Sequence, residues 1–175
     1  MTRFLNLLLL PLAVLCLTGG AKKGSKVSIQ FHCETTAHDG DTFATQMMVG
    51  DPPRKLHLEK MPTITDRDIK AIYPFPAQDA SGSFGVYFMV DNHGSNLLQA
   101  ATTQHRHSYI VPVINGRPIS LIHIPKPISD GIMTVPSGIT SDEVSLLAAT
   151  YPIYGETSSE TKNRQAAAKK KKSEP

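Results

Sequence analysis

Tryptophan is absent from this 175-residue chain, aromatic residues make up only 6% of it, and cysteine occurs twice, at Cys16 and Cys33. So few large rings exclude a big aromatic core and leave a modest, mainly aliphatic one. Two cysteines, one of them inside an N-terminal apolar run, exclude a disulfide framework, so the fold has to hold by packing. That apolar run, residues 4–17, is shorter than the ~20 residues that cross a bilayer as a helix. No glycine loop of the phosphate-cradling kind is present, because Gly82-x-x-Gly85 lacks the following helix and lysine. A strong charge of one sign is missing as well. The formal net charge is +3, and Lys169, Lys170, Lys171 and Lys172 near the C-terminus supply the excess. The body is then close to neutral, which argues against a general nucleic-acid-binding surface.

What is present at the N-terminus reads as a secretory signal. Arg3 gives the positive start, residues 4–17 the apolar stretch, and Thr18-Gly19-Gly20-Ala21 the small residues a signal peptidase needs, with cleavage near Gly20-Ala21. The chain is therefore expected outside the cytoplasm, periplasmic or secreted. An uncleaved anchor is the alternative, and lipidation of Cys16 is disfavoured by the large Leu15 before it. Cleavage leaves Cys33 alone, in a strand-like run where a small buried thiol is ordinary. Membrane contact is expected only through the N-terminal segment or the lysine tail.

Along the chain, Val27, Ile29, Phe31 and Cys33 alternate with polar residues at the period of a half-buried strand. The turn signal at His38-Asp39-Gly40-Asp41 lets residues 42–49 return antiparallel, which predicts an N-terminal hairpin over residues 27–49. Asp51-Pro52-Pro53 breaks it, and residues 54–60 form one more extended piece with Leu56 and Leu58 on one face. Thr65 caps a short helix over 66–71, with Asp66 and Asp68 in its first turn; Pro74 and Pro76 stop it. Residues 79–83 form a polar loop free to vary. Residues 86–90 are nearly all apolar and predict a central strand. Asp91 caps the next helix, and Gly94 in its first turn costs ~1 kcal/mol of helix propensity relative to Ala, which points to a close backbone approach.

Asn115-Gly116 joins residues 108–114 to 117–124 as a hairpin. A two-residue loop would lose a ladder bond at Pro112, so a three-residue loop bulged at Gly116 is expected, with Pro112 opposite Pro118. Residues 125–131 are a stiff link to a strand at 132–135. Thr140 and Glu143 form a capping box for a helix whose Val144, Leu147, Ala148 and Tyr151 share a face, and Pro152 ends it. From Gly155 onward the near-absence of large apolar residues predicts a disordered basic tail, residues 155–175.

Residue types with chemistry are present but unassembled. His105-x-His107 with His123 could supply metal ligands from a hairpin face, yet His105 fits better as a helix-closing residue. Ser120, His123 and Asp130 are the types of a hydrolase triad without a nucleophile elbow. Asp66 and Asp68 read as helix-start residues before they read as an acid–base pair. No catalytic set, metal site or cofactor is expected, and the chain is not expected to be an enzyme.

With the turns placed, residues 58–151 resemble the head subdomain of the first periplasmic domain of SecD, a subunit of the SecDF protein-translocation accessory. The features are Leu58-Glu59-Lys60-Met61-Pro62, Thr65-x-x-Asp68-Ile69, Asp91-x-x-Gly94, Asn115-Gly116-Arg117-Pro118-Ile119-Ser120, Pro127-Ile128, Gly131, and Gly138-Ile139-Thr140-x-x-Glu143-Val144. Their order and spacing carry the likeness, with Asp91, Gly94, Asn115, Gly116, Gly138, Thr140 and Glu143 as the motif positions. The resemblance implies an α+β fold, an antiparallel sheet with two main helices on one face. It divides the chain into a signal (1–21), a linker with the N-terminal hairpin (22–53), the head-like domain (54–154) and the tail. It also implies a non-enzymatic module that contacts polypeptides in protein export, without the multi-helix membrane part that couples such heads to protons. The alternative is a structural or envelope-assembly protein using the same fold as scaffold, with an envelope protein as partner and the hairpin as oligomerisation element. Fold alone does not choose between them.

Overall fold

The computed structural model describes residues 27–36, 40–79 and 81–171. The signal segment, its cleavage point, most of the linker and part of the expected turn at 38–41 lie outside the described residues. The elements run β1 (Ile29–Cys33), α1 (Gly40–Phe43), β2 (Ala44–Val49), β3 (Arg54–Glu59), β4 (Ile64–Thr65), β5 (Ile69–Pro76), β6 (Phe84–Val90), α2 (Asn92–Gln104), β7 (Tyr109–Ile114), β8 (Arg117–Pro118), β9 (Ile122–His123), β10 (Ile132–Ile139), α3 (Ser141–Thr150) and α4 (Ser158–Lys171). The α+β class is as expected. The strands form three antiparallel sheets rather than one: β4-β1-β7-β8 with β9 also on β7, β10-β6-β5, and the β2-β3 hairpin.

The main core lies between the first two sheets. Inward residues of β1 (Ile29, Phe31, Cys33) and β7 (Ile110, Ile114) meet Val86, Phe88 and Val90 of β6 and Met133 and Val135 of β10. Phe31 and Phe88 touch edge to face, with ring centroids 5.4 Å apart. The two main helices add Leu98 from α2 and Leu147 from α3 to this same core. A smaller core forms on the other side of β7, where Val111 and Val113 meet Val49 and Leu58 of the hairpin, with Met47, Leu56 and Leu121 around them. β7 is thus buried on both faces, and its alternate residues serve two cores.

The expected hairpin over 27–49 does not form. β1 pairs with β4 and β7, placing Phe31 opposite Ile64 and Pro112. β2 instead pairs with β3 from Val49–Arg54 to Ala44–Glu59, so the Asp51-Pro52-Pro53 breaker is the turn of the real hairpin. The cause is burial: Ile29, Phe31 and Cys33 are each 0% exposed, a degree of enclosure that the strand β7 and the main core supply.

The helix expected at 66–71 is also absent. The Asp68 carboxylate accepts from Thr65 N–H at 2.8 Å and Thr65 Oγ1 at 2.9 Å, closing a tight turn that runs straight into β5. Pro74 and Pro76 belong to that strand. Ile72 turns its N–H and C=O away from β6, toward Pro152 O and Tyr154 N, so Pro74 and Pro76 at the same parity lose no bond to β6.

The Asn115-Gly116 loop has two residues, not three. Both lie at positive φ (51° and 83°), and Ile114 pairs with Arg117 and Val113 with Pro118. This primed turn matches the strand twist. Pro112 accepts from Ile119 N–H at 2.9 Å and has no N–H to return. The ladder opens there, and the extra residue is taken up between Pro118 and Ile122, because farther along Ile110 faces Ile122 and Tyr109 faces His123.

The tail departs from the expected disorder over residues 158–171, which form α4. Arg164 binds both oxygens of Glu156 and reaches Tyr151 O, and Gln165 donates to Thr150 O, so α4 is tied back to the end of α3. These are polar contacts, which hydropathy does not register. Among the described residues no helix is long and apolar enough to cross a membrane.

Candidate functional site

One face of the β10-β6-β5 sheet turns inward and the other faces solvent. The pleat decides which residues go where. Val86, Phe88 and Val90 of β6 are buried, while Tyr87 between them is 37% exposed; on β5, Tyr73 is 46% exposed. Register brings the outward residues together: Tyr73 pairs with Tyr87, Phe75 with Gly85, Thr134 with Tyr87, and Ile132 with Met89. The Tyr87 ring centre lies 4.8 Å from Phe75 and 6.3 Å from Tyr73, both tilted. The three rings make a continuous aromatic row across two strands, with Met89 and Ile132 extending it.

Phe75 can lie over β6 because its partner is glycine. A Cβ on Gly85 would run into the Phe75 ring and come within 2.5 Å of Pro136 O. At one end of the row a groove of about 300 Å³ is lined by Phe75, Gln78, Asp79, Tyr87, Thr134 and Pro136. The described residues of the polar loop beside it are tied together by hydrogen bonds. Asp79 accepts from Ser81 N–H and Oγ, Ser81 Oγ bonds Ser83 Oγ at 2.6 Å, and Ser83 Oγ accepts from Gly138 N–H at 3.0 Å. Hydrogen bonds from Ser81 and Ser137 hold the Asp79 carboxyl below the usual carboxylate range, so the rim carries a fixed negative charge.

The motif residues form two corners away from this face. At the first, Asp91 caps α2 by accepting from Gly94 N–H at 2.8 Å, and Asp91 N–H donates to Asp68 O at 2.8 Å. The close approach expected at Gly94 is real, since a Cβ there would lie 2.9 Å from Val90 Cβ and 3.0 Å from Asp68 Cβ. At the second, the capping box is complete, Thr140 and Glu143 each accepting from the other's N–H. Arg117, next to Asn115-Gly116, binds both Glu143 oxygens and the carbonyl of Gly138. Burial raises the Glu143 pKa, but Arg117 and the Thr140 N–H outweigh it and hold the carboxyl below its ordinary value. These residues fix the scaffold; none lines the aromatic row.

The other candidates are dispersed. Asp130 accepts from Ile132 N–H, the His123 ring lies 5.5 Å from that of Tyr109, and Ser120 Oγ is buried without a hydrogen-bond partner, so no triad is assembled. Neither His107 nor His123 joins His105. His105 closes α2, as expected, and its Nε2 lies 3.2 Å from Glu59 Oε1. Cys33 completes a group whose ligand-type atoms lie within 4.8 Å of one another. Burial pushes the Cys33 thiol up to about 11; the hydrogen bond with Thr63 opposes that rise and the Glu59 charge adds to it. Sequence reading missed both the aromatic row and this cluster. The available signal for the row was the period-two spacing of Tyr73 and Phe75, and of Gly85, Tyr87 and Met89.

No family model matches the chain, and no curated protein does. Among solved structures it is similar to the membrane component SecDF that enhances protein export, at 14% identity and a TM-score of 0.47, over 74% of this chain and 64% of that one. It is also similar to SecDF in its super-membrane-facing form, at 16% identity and a TM-score of 0.49, over 74% of this chain and 19% of that one. The chain thus spans less than two thirds of either of these structures.

Proposed function

We propose that this chain is an exported, non-enzymatic module that holds extended segments of unfolded polypeptide on the outer face of the β10-β6-β5 sheet. The observation that carries the proposal is the solvent-facing row of Tyr73, Tyr87 and Phe75. Tyrosines on a rigid sheet give large contact area at low entropic cost, because each has only two rotatable side-chain bonds. A row of rings contacts apolar and aromatic side chains without demanding one sequence, as a reader of unfolded chains requires. Asp79 at the rim adds attraction for lysine and arginine in the bound segment. The motifs that resemble the SecD head support the same reading, and the N-terminal signal read in the sequence supports a location outside the cytoplasm. The competing scaffold reading assigned oligomerisation to a hairpin over 27–49, and that hairpin does not exist.

The test is titration of the chain into a permanently unfolded, carboxymethylated protein, with the native form of the same protein as control. Binding to the unfolded form alone is expected, and Tyr73→Ser with Tyr87→Ser should weaken it at least about tenfold, since central aromatic anchors each contribute more than 1 kcal/mol. Equal binding by the double variant, or none by the wild type, would remove the aromatic face as the site.

A further inference from the structure

A second constellation, independent of the aromatic face, lies where the end of β1, the end of β3 and the C-terminus of α2 meet. We propose that Cys33 Sγ, Glu59 Oε1 and His105 Nε2 form a binding site for a divalent transition-metal ion, zinc foremost, with water as the fourth ligand. In a tetrahedral zinc site with nitrogen and oxygen at ~2.0–2.1 Å, the nitrogen–oxygen edge is about 3.3 Å. His105 Nε2 and Glu59 Oε1 already stand 3.2 Å apart. Edges to a sulfur bound at ~2.3 Å are about 3.5 Å, and the three atoms all lie within 4.8 Å of one another. A small inward movement of the thiol closes the set.

The chemistry selects the ion. One thiolate, one imidazole and one carboxylate suit zinc and its neighbours, whereas magnesium and calcium want oxygen ligands alone. An ion pair would account for Glu59 and His105 but gives the thiol no part; a metal ion uses all three. The ligands are also held from behind. His32 Nδ1 donates to Glu59 O at 2.7 Å, Ser108 N–H and Oγ donate to His105 O, and Thr63 Oγ1 sits 3.3 Å from Cys33 Sγ, placed to donate to a thiolate. Cys33 is fully buried, but the His105 and Glu59 side chains keep 15% and 35% of their exposure, so an ion enters past them. Binding forms one bond each to sulfur, nitrogen and oxygen; the thiol proton leaves to solvent, and His105 binds as the neutral ring with its proton on Nδ1 and Nε2 free for the metal, with no change of oxidation state.

The experiment is titration of the chelator-treated full chain with cobalt(II), followed by zinc(II). Expected are the visible bands of tetrahedral cobalt with a thiolate-to-cobalt charge-transfer band, saturating at one equivalent, erased by zinc, with one proton released per zinc bound. Cys33→Ser should lose the charge-transfer band. His105→Gln, changed at a partly exposed side chain outside the core, should bind at least about 10–100-fold more weakly, the loss typical of disturbing even an outer-shell partner. Zinc should raise the melting temperature of the wild type and of neither variant. A featureless cobalt titration of the wild type, or an unchanged spectrum in Cys33→Ser, would overturn the site.

Discussion

Gly85→Ala places one methyl group under the aromatic row, and its effect can be worked out in advance. The new Cβ would meet the Phe75 ring from below and lie 2.5 Å from Pro136 O, about 1 Å inside ordinary contact. The ring edge can swing aside. The carbonyl is main chain of β10, which pairs with β6 on both sides of Pro136, so it yields only if the strand itself moves. Overpacking of this kind costs about 1–3 kcal/mol. Replacing glycine inside a strand returns about 0.5–1 kcal/mol in chain entropy, so a net loss of about 1–2 kcal/mol is expected. Each kcal/mol lowers the melting temperature of a chain this size by about 2–4 °C, giving a fall of about 2–8 °C. Urea unfolding of the wild type, Gly85→Ala, Phe75→Ala and the double variant forms a cycle. Part of the loss should vanish when the ring is gone, and the part due to Pro136 should stay. Because Phe75 is displaced, polypeptide binding should weaken along with stability. If Gly85→Ala is as stable as the wild type, the aromatic ring does not rest on the glycine as described.

Other outcomes follow from the two corners, the buried tyrosine and the tail. Glu143 has a folded pKa below its ordinary 4.5, so the stability it contributes is present above pH 4.5 and lost as pH falls through the lower value; Glu143→Gln should flatten the acid limb of the stability curve. Burial, and then the nearby Asp66 charge, push the Tyr151 phenol up to about 12 from 10, so its contribution is full below pH 10 and disappears as pH rises through 12. A spectroscopic titration should show one late-ionising tyrosine that Tyr151→Phe removes. Gly94→Ala should destabilise by about 1–3 kcal/mol in chemical unfolding despite alanine's better helix propensity, because its Cβ meets Val90 and Asp68. Arg164→Ala should increase amide exchange across α4 while leaving the melting temperature of the rest within about 2 °C, since a 14-residue polar helix is marginal without its ties.

Local chemistry made part of this protein legible in its sequence. Asp91 with Gly94, and Thr140 with Glu143, sit at fixed spacings whose hydrogen bonds close within one helical turn, and both caps form as read. Asn115-Gly116 announced its turn for the same reason. The loop length came out differently because the Pro112 penalty could be met farther along, between Pro118 and Ile122, where local rules do not look. Thr65 and Asp68 fit a helix start and a closed turn equally well, and the choice fell to the β-sheet partner of residues 69–76. α4 was hidden because its anchors, Arg164 on Glu156 and Gln165 on Thr150, are polar.

The sequence by itself determined the α+β class, the helix caps and the resemblance to the SecD head, because each of these rests on residues a few positions apart. Only the tertiary structure decided that β1 joins β7 rather than β2, that Tyr73, Phe75 and Tyr87 share an open face, and that Cys33, Glu59 and His105 converge. Those outcomes depend on contacts between residues 12 to 85 positions apart, and strand pairing over such distances is settled by which faces can be buried together, which no local pattern encodes.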